Sequence, residues 1–169
     1  MNTEQIYQIL CSDQLTKSRL GRVCALDQLP DNLEKLPCIF VCNTDPSNLP
    51  GQHWIALYFD EQGHGEYFDS LGPYSVNREI VSYMDMHTLS WHKNENQIQS
   101  LYSNVCGQYC IYFLMKRCRN ISINTVVNHF TSDFIKNDIF ISDFIKKYYP
   151  WASFININGA QGSKTFANK

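Results

Sequence analysis

The chain has 169 residues, of which 44% are hydrophobic, enough to bury one sizeable core, and a single domain over residues 1–169 is expected. Lys and Arg total 14 against 16 Asp and Glu, a net charge of −2, so nothing in the balance marks a strongly basic nucleic-acid binder, although a local basic patch stays open. No run approaches the about 18 apolar residues of a membrane span, and Met1-Asn2-Thr3-Glu4-Gln5 lacks the basic-then-apolar order of a secretory leader.

A soluble, unsecreted protein without membrane partners is therefore expected. Seven cysteines, an odd number at irregular spacings, fit reduced thiols in an intracellular compartment better than a disulfide framework.

In chain order, residues 3–12 read as a short amphipathic helix, with Thr3 as N-cap and Ile6, Ile9 and Leu10 on one face. Ser18 to Leu36, broken by Gly21, Pro30, Asp31 and Asn32, reads as an exposed connection anchored by Leu20, Val23 and Leu29. The apolar run Cys38–Cys42 reads as a buried strand. Trp54–Phe59 and Glu66–Asp69, joined by a turn around Asp60-Glu61-Gln62-Gly63, read as neighbouring antiparallel strands. A helix over 76–86 starts after Ser75 or Asn77, and Leu89–Lys93 and Gln97–Ser100 read as short extended pieces.

Val105–Met115 has hardly any polar face and belongs in the core. Helices over Asn124–Phe130 and Asp138–Tyr149 follow, the second stopped by Pro150, and the tail after Trp151 is expected to loosen toward its end. Helix, then strands, then helices predicts an α+β architecture with a mixed central sheet packed against helices.

A cysteine attacks carbonyls as thiolate, so a catalytic one needs a setting that depresses its pKa. Cys106 follows Ser103 and Asn104, both capping residue types, which predicts a place in the first helical turn near the positive end of the helix dipole. Gly107 removes a side chain that would crowd an approaching substrate. His53 opens one predicted strand and Asp69 ends the next, so an antiparallel pairing brings both to one sheet edge.

Base, acceptor and nucleophile then have candidates, and the side-chain amide of Gln99 with the Cys106 N–H supplies an oxyanion hole, with Gln97 as rival. Each residue alone has a plainer reading: a small core thiol, a loop histidine, a turn-initiating carboxylate. Cys38/Cys42 with Cys106/Cys110 could be read as four metal thiolates, but Cys38 and Cys42 lie inside an apolar strand and not in a knuckle, so no metal site is expected. Lys146-Lys147 beside Tyr148-Tyr149 is explained by favourable charge at a helix C-terminus.

The segments Gly51-Gln52-His53-Trp54, Tyr67-Phe68-Asp69-Ser70-Leu71-Gly72 and Gln99 to Cys110, in that order, resemble the adenovirus endopeptidase (adenain) family and its virophage and Polinton-type relatives. The resemblance spans about residues 20–118 and extends to the wider clan of SUMO-specific proteases. It implies a papain-like cysteine protease fold with rearranged order and a triad of Cys106, His53 and Asp69. It also implies cleavage near glycines and a Trp54 that packs beside His53. Adenain carries Glu as its acid, whereas Asp69 matches the relatives.

Adenain is also activated by a disulfide-linked peptide and by DNA. This chain has no cysteine between Thr44 and Val105 and a slightly negative charge, so an activating peptide or DNA finds no support in its residues and no cofactor is required by them. The function implied is a monomeric endopeptidase processing capsid and core precursors at the assembly site and in the virion. The alternatives are an isopeptidase removing a ubiquitin-like modifier and an inactive interaction module.

Overall fold

A computed structural model of the chain describes residues 1–154. The end of the tail, expected to loosen, lies outside the described residues.

Helix α1 (Thr3–Ser12) is capped by Asn2, not Thr3: the Asn2 side chain accepts the Gln5 N–H at 2.9 Å and the Gln5 side chain accepts the Asn2 N–H at 3.0 Å. This reciprocal box satisfies two donors, which Thr3 with an apolar Ile6 three residues on could not do. Ile6, Ile9 and Leu10 are buried as the periodicity predicts.

The stretch expected as a connection instead holds the end of α2 (Gln14–Arg19), strand β1 (Leu20–Ala25) and a single helical turn at Leu26–Gln28. Strand β1 lies at the edge of the sheet, and only Val23 and Cys24 are buried, so it carries no long apolar alternation to betray it.

Strands β2 (Cys38–Asn43), β3 (Trp54–Phe59), β4 (His64–Phe68) and β5 (Ser90–Lys93) complete a five-stranded sheet in the order β1-β2-β3-β4-β5. The two outer pairings are parallel and the two inner ones antiparallel. Both faces of β2 and β3 are covered, which explains their unbroken apolar text. Ile39, Val41, Ala56 and Tyr58 face one core, while Cys38, Phe40, Cys42, Ile55, Leu57 and Phe59 face the other.

The second core is closed by Ile80 and Met84 of α3 (Arg78–His87), whose N-cap is Asn77. The first is filled by α4 (Cys106–Arg117), with α1, α5 (Ile123–Val127) and α6 (Phe134–Tyr148) packed around it. Helix α5 stops at Val127, short of the expected end, and α6 begins one turn early because Asp133 accepts the Lys136 N–H. Gln97–Ser100 joins no strand ladder; the N–H groups of Ile98 and Gln99 both donate to the Ser70 carbonyl, at 2.9 and 3.1 Å.

Two contacts carry the core to the site. Phe68, at the end of β4, stacks on Phe113 of α4 with ring centroids 4.5 Å apart, which locks the strand end against the helix that begins at Cys106. Gly72, at φ +61°, lies so close to the next segment that a Cβ would stand 2.5 Å from the Gln97 backbone nitrogen, so only glycine lets the turn after Asp69 pack against the chain leading to Gln99.

Candidate active site

His53 immediately precedes β3 and Asp69 immediately follows β4, and the register that pairs Ala56 with Phe68 sets these ends side by side. Both strands are interior to the sheet, so the edge at which the two side chains meet is the one formed by the strand ends. His53 Nε2 and Asp69 Oδ1 are 2.8 Å apart, with Asp69 fully buried and His53 nearly so.

The His53 carbonyl accepts the Thr44 N–H at 2.9 Å, tying His53 to the loop after β2. Asp69 is held more heavily. Its Oδ1 also accepts the Leu71 N–H, and Asn94 grips its backbone twice, accepting from the Asp69 N–H at 2.8 Å and donating to its carbonyl at 2.7 Å. Lys93 Nζ stands 3.7 Å from Asp69 Oδ2 and donates to the Gly72 and Ser75 carbonyls.

Cys106 is the first residue of α4, but its helix is not capped as the sequence predicts. The N-cap is Val105, which supplies no side-chain bond, because the Ser103 hydroxyl is occupied with Ser100 and Gln99. The first turn therefore keeps unpaired N–H groups close to the thiol.

Burial pushes the Cys106 thiol up, but His53 and the N–H groups of Trp54 and Gly107 outweigh it and the pKa falls below the ordinary thiol value. Burial likewise pulls the imidazole down, yet Asp69 and Cys106 together raise His53 to about 9. With Nε2 committed to Asp69, Nδ1 is the ring nitrogen left for the thiol.

His53, Trp54, Gln99 and Cys106 line one cleft of about 510 Å³. None of the described residues lining it is Asp, Glu, Lys or Arg, and Leu71, Tyr74 and Leu101 form apolar parts of its wall. Gln99 is buried at its side, with Nε2 donating to the Ser103 carbonyl at 2.9 Å and meeting Ser103 Oγ at 3.1 Å. The rival Gln97 faces a different cavity and donates to the Gln99 carbonyl.

Trp54 is half-buried, and its indole N–H donates to the Met1 carbonyl at 3.2 Å. Gly107 does not open the cleft to substrate as expected: a Cβ there would meet Ile6 at 3.1 Å and Met1 and Trp54 at 3.4 Å, so glycine admits the start of α1. Among the described residues no cluster of His, Cys, Asp or Glu has a metal-binding arrangement, and no helix is long and apolar enough to cross a membrane.

The residues that sequence reasoning missed are Ser70, Lys93 and Asn94, while Ser103, expected as a helix cap, holds Gln99. Ser70 stood inside a recognised motif and could have been found. Lys93 and Asn94 reach Asp69 only through the parallel β4–β5 pairing, which nothing local announces.

No protein-family model matches the chain. It is 30% identical over 119 residues to a cysteine protease of African swine fever virus, covering 62% of this chain and 42% of the relative. It is 27% identical over 130 residues to a protease of bovine adenovirus 7, covering 68% of this chain and 63% of the relative. The chain thus spans less than two thirds of the length of each.

The crystal structure of the African swine fever virus protease superposes with a TM-score of 0.60 at 19% identity, over 83% of this chain and 65% of that one. ChlaDub1 of Chlamydia trachomatis superposes at 0.50 and 17% identity, over 71% and 61%. The relation to adenain-like proteases expected from the motifs is borne out by the viral relatives, and the α+β, papain-like cysteine protease fold by these structures.

Proposed function

We propose that the chain is a cysteine endopeptidase that cleaves viral capsid or core precursors near glycines, with Cys106 as nucleophile, His53 as base and Asp69 orienting the base. The observation that carries this reading is the charge arrangement in one cleft: a thiol with a lowered pKa beside an imidazole held by a buried carboxylate and raised to about 9. A thiolate–imidazolium pair exists where Cys106 has lost its proton and His53 keeps one, which sets a bell-shaped dependence of activity on pH. The alkaline limb falls near pH 9 as His53 deprotonates, and the acid limb reports Cys106.

The thiolate attacks the scissile carbonyl, and the charge that develops on oxygen meets the Cys106 N–H and the Gln99 carboxamide. One Gln99 N–H remains on the Ser103 carbonyl while the other, which meets Ser103 Oγ, exchanges that hydroxyl for the oxyanion without rotation of the carboxamide. His53 returns its proton to the leaving amine, and water then releases the acyl group. Apart from the Cys106–His53 pair, the cleft wall described carries no Asp, Glu, Lys or Arg side chain, which suits a neutral, extended peptide. Similarity to proteases of two viruses supports precursor processing in an infected cell.

The test offers a capsid precursor and a ubiquitin-like conjugate side by side to wild type and Cys106→Ala. Thiol-dependent cleavage of the precursor is the expected result. Preference for the conjugate would replace endopeptidase with isopeptidase, and equal traces from both proteins would remove the enzymatic reading.

A further inference from the structure

We infer that Ser70 is a positioning residue that fixes the Gln99 carboxamide with its N–H side toward the cleft, an inference that rests on the reading of Gln99 as oxyanion donor. Ser70 is fully buried, and its Oγ lies 2.6 Å from Gln99 Oε1. The orientation of the amide follows from its other end. Gln99 Nε2 lies 2.9 Å from the Ser103 carbonyl, an oxygen that only accepts, so the nitrogen belongs there and Oε1 must face Ser70. The Ser70 hydroxyl is then the donor.

The Ser70 carbonyl accepts the N–H groups of Ile98 and Gln99 at the same time, so one residue holds Gln99 by backbone and side chain together. Its neighbour Asp69 holds His53 at 2.8 Å. The dipeptide at the end of β4 thus aims two arms of the site: the base through Asp69 and the oxyanion donor through Ser70.

A carboxamide torsion is broad and nearly two-fold, so without a partner on Oε1 the group is held at its nitrogen end alone and its rotated state becomes more populated. A rotated Gln99 would offer its oxygen, not its N–H, to the developing negative charge. Loss of Ser70 should therefore slow attack on carbonyls while leaving the thiolate, which is set by His53 and the helix start, as it was.

The experiment uses the full chain and a fluorogenic peptide amide ending in Gly-Gly. Ser70→Ala is expected to lower kcat on the order of tenfold to a hundredfold with KM unchanged. Alkylation of Cys106 by iodoacetamide, a displacement that develops no oxyanion, should keep its rate and pH profile. Ser70→Ala should add no further loss in a Gln99→Ala background, and Ser70→Thr, which keeps the donor, should hydrolyse faster than Ser70→Ala.

Wild-type hydrolysis by Ser70→Ala, losses that multiply with Gln99→Ala, or alkylation that falls in step with hydrolysis would each overturn the proposal. Gln99→Ala hydrolysing like wild type would instead remove the oxyanion reading beneath it. A slow Gln99→Ala beside an unaffected Ser70→Ala removes the role of Ser70 alone.

Discussion

Cys106 and Cys110 sit one turn apart on the same helix, and their surroundings drive them in opposite directions. Cys110 is fully buried, with its thiol against the Trp54 carbonyl, and burial raises its pKa well above the ordinary value. Cys106 is also largely buried, but it meets His53 and the free N–H groups at the start of α4, and its pKa falls. Residue type and burial are shared; the difference lies in which dipoles and charges reach the sulfur. One turn of helix separates an inert core thiol from a candidate nucleophile.

The sharpest break of this comparison is substitution. Cys106→Ala should reduce peptide hydrolysis by at least about 10⁴-fold. Cys110→Ala should leave kcat within a few-fold and cost about 1 kcal/mol of stability. Parallel progress curves and urea melts check both.

The contact that holds the strand end to α4 comes next: Phe113→Ala removes the partner of Phe68 and should cost about 3–5 kcal/mol of unfolding free energy in a denaturant titration. Asp69→Asn retains the shape of the carboxylate but weakens its hold on the imidazolium, and should lower kcat on the order of a hundredfold in steady-state assays.

The smallest effect belongs to Lys93. Its ammonium, 3.7 Å from Asp69 Oδ2, opposes the protonation that Asp69 favours in His53. Lys93→Met should therefore move the alkaline limb of the pH–activity profile upward, by about one pH unit or less.

What was legible in the sequence follows the same division. The catalytic candidates could be read because nucleophile, base and acid chemistry restricts residue types, and because strand alternation and a turn predict which ends of β3 and β4 meet. Cleft-facing Gln99 could be picked by its spacing to Cys106, though only the fold separates it from Gln97, which points into another cavity.

The supports were not legible. Asn94 and Lys93 reach Asp69 across a parallel pairing whose register depends on how α3 crosses back over the sheet. Gly107 looked like space for substrate, but its missing side chain faces α1, a contact between segments about a hundred residues apart. Strand β1 escaped because an edge position demands little apolar text.

The central claim is that His53 lowers the pKa of the Cys106 thiol. The direct measurement is the rate of iodoacetamide alkylation at Cys106 as a function of pH, located by peptide mass mapping, in wild type and His53→Ala. The account predicts a wild-type titration below the ordinary thiol value and an upward shift of that titration in His53→Ala. A wild-type Cys106 that titrates like a free thiol, or one whose titration is unmoved by loss of His53, would contradict it.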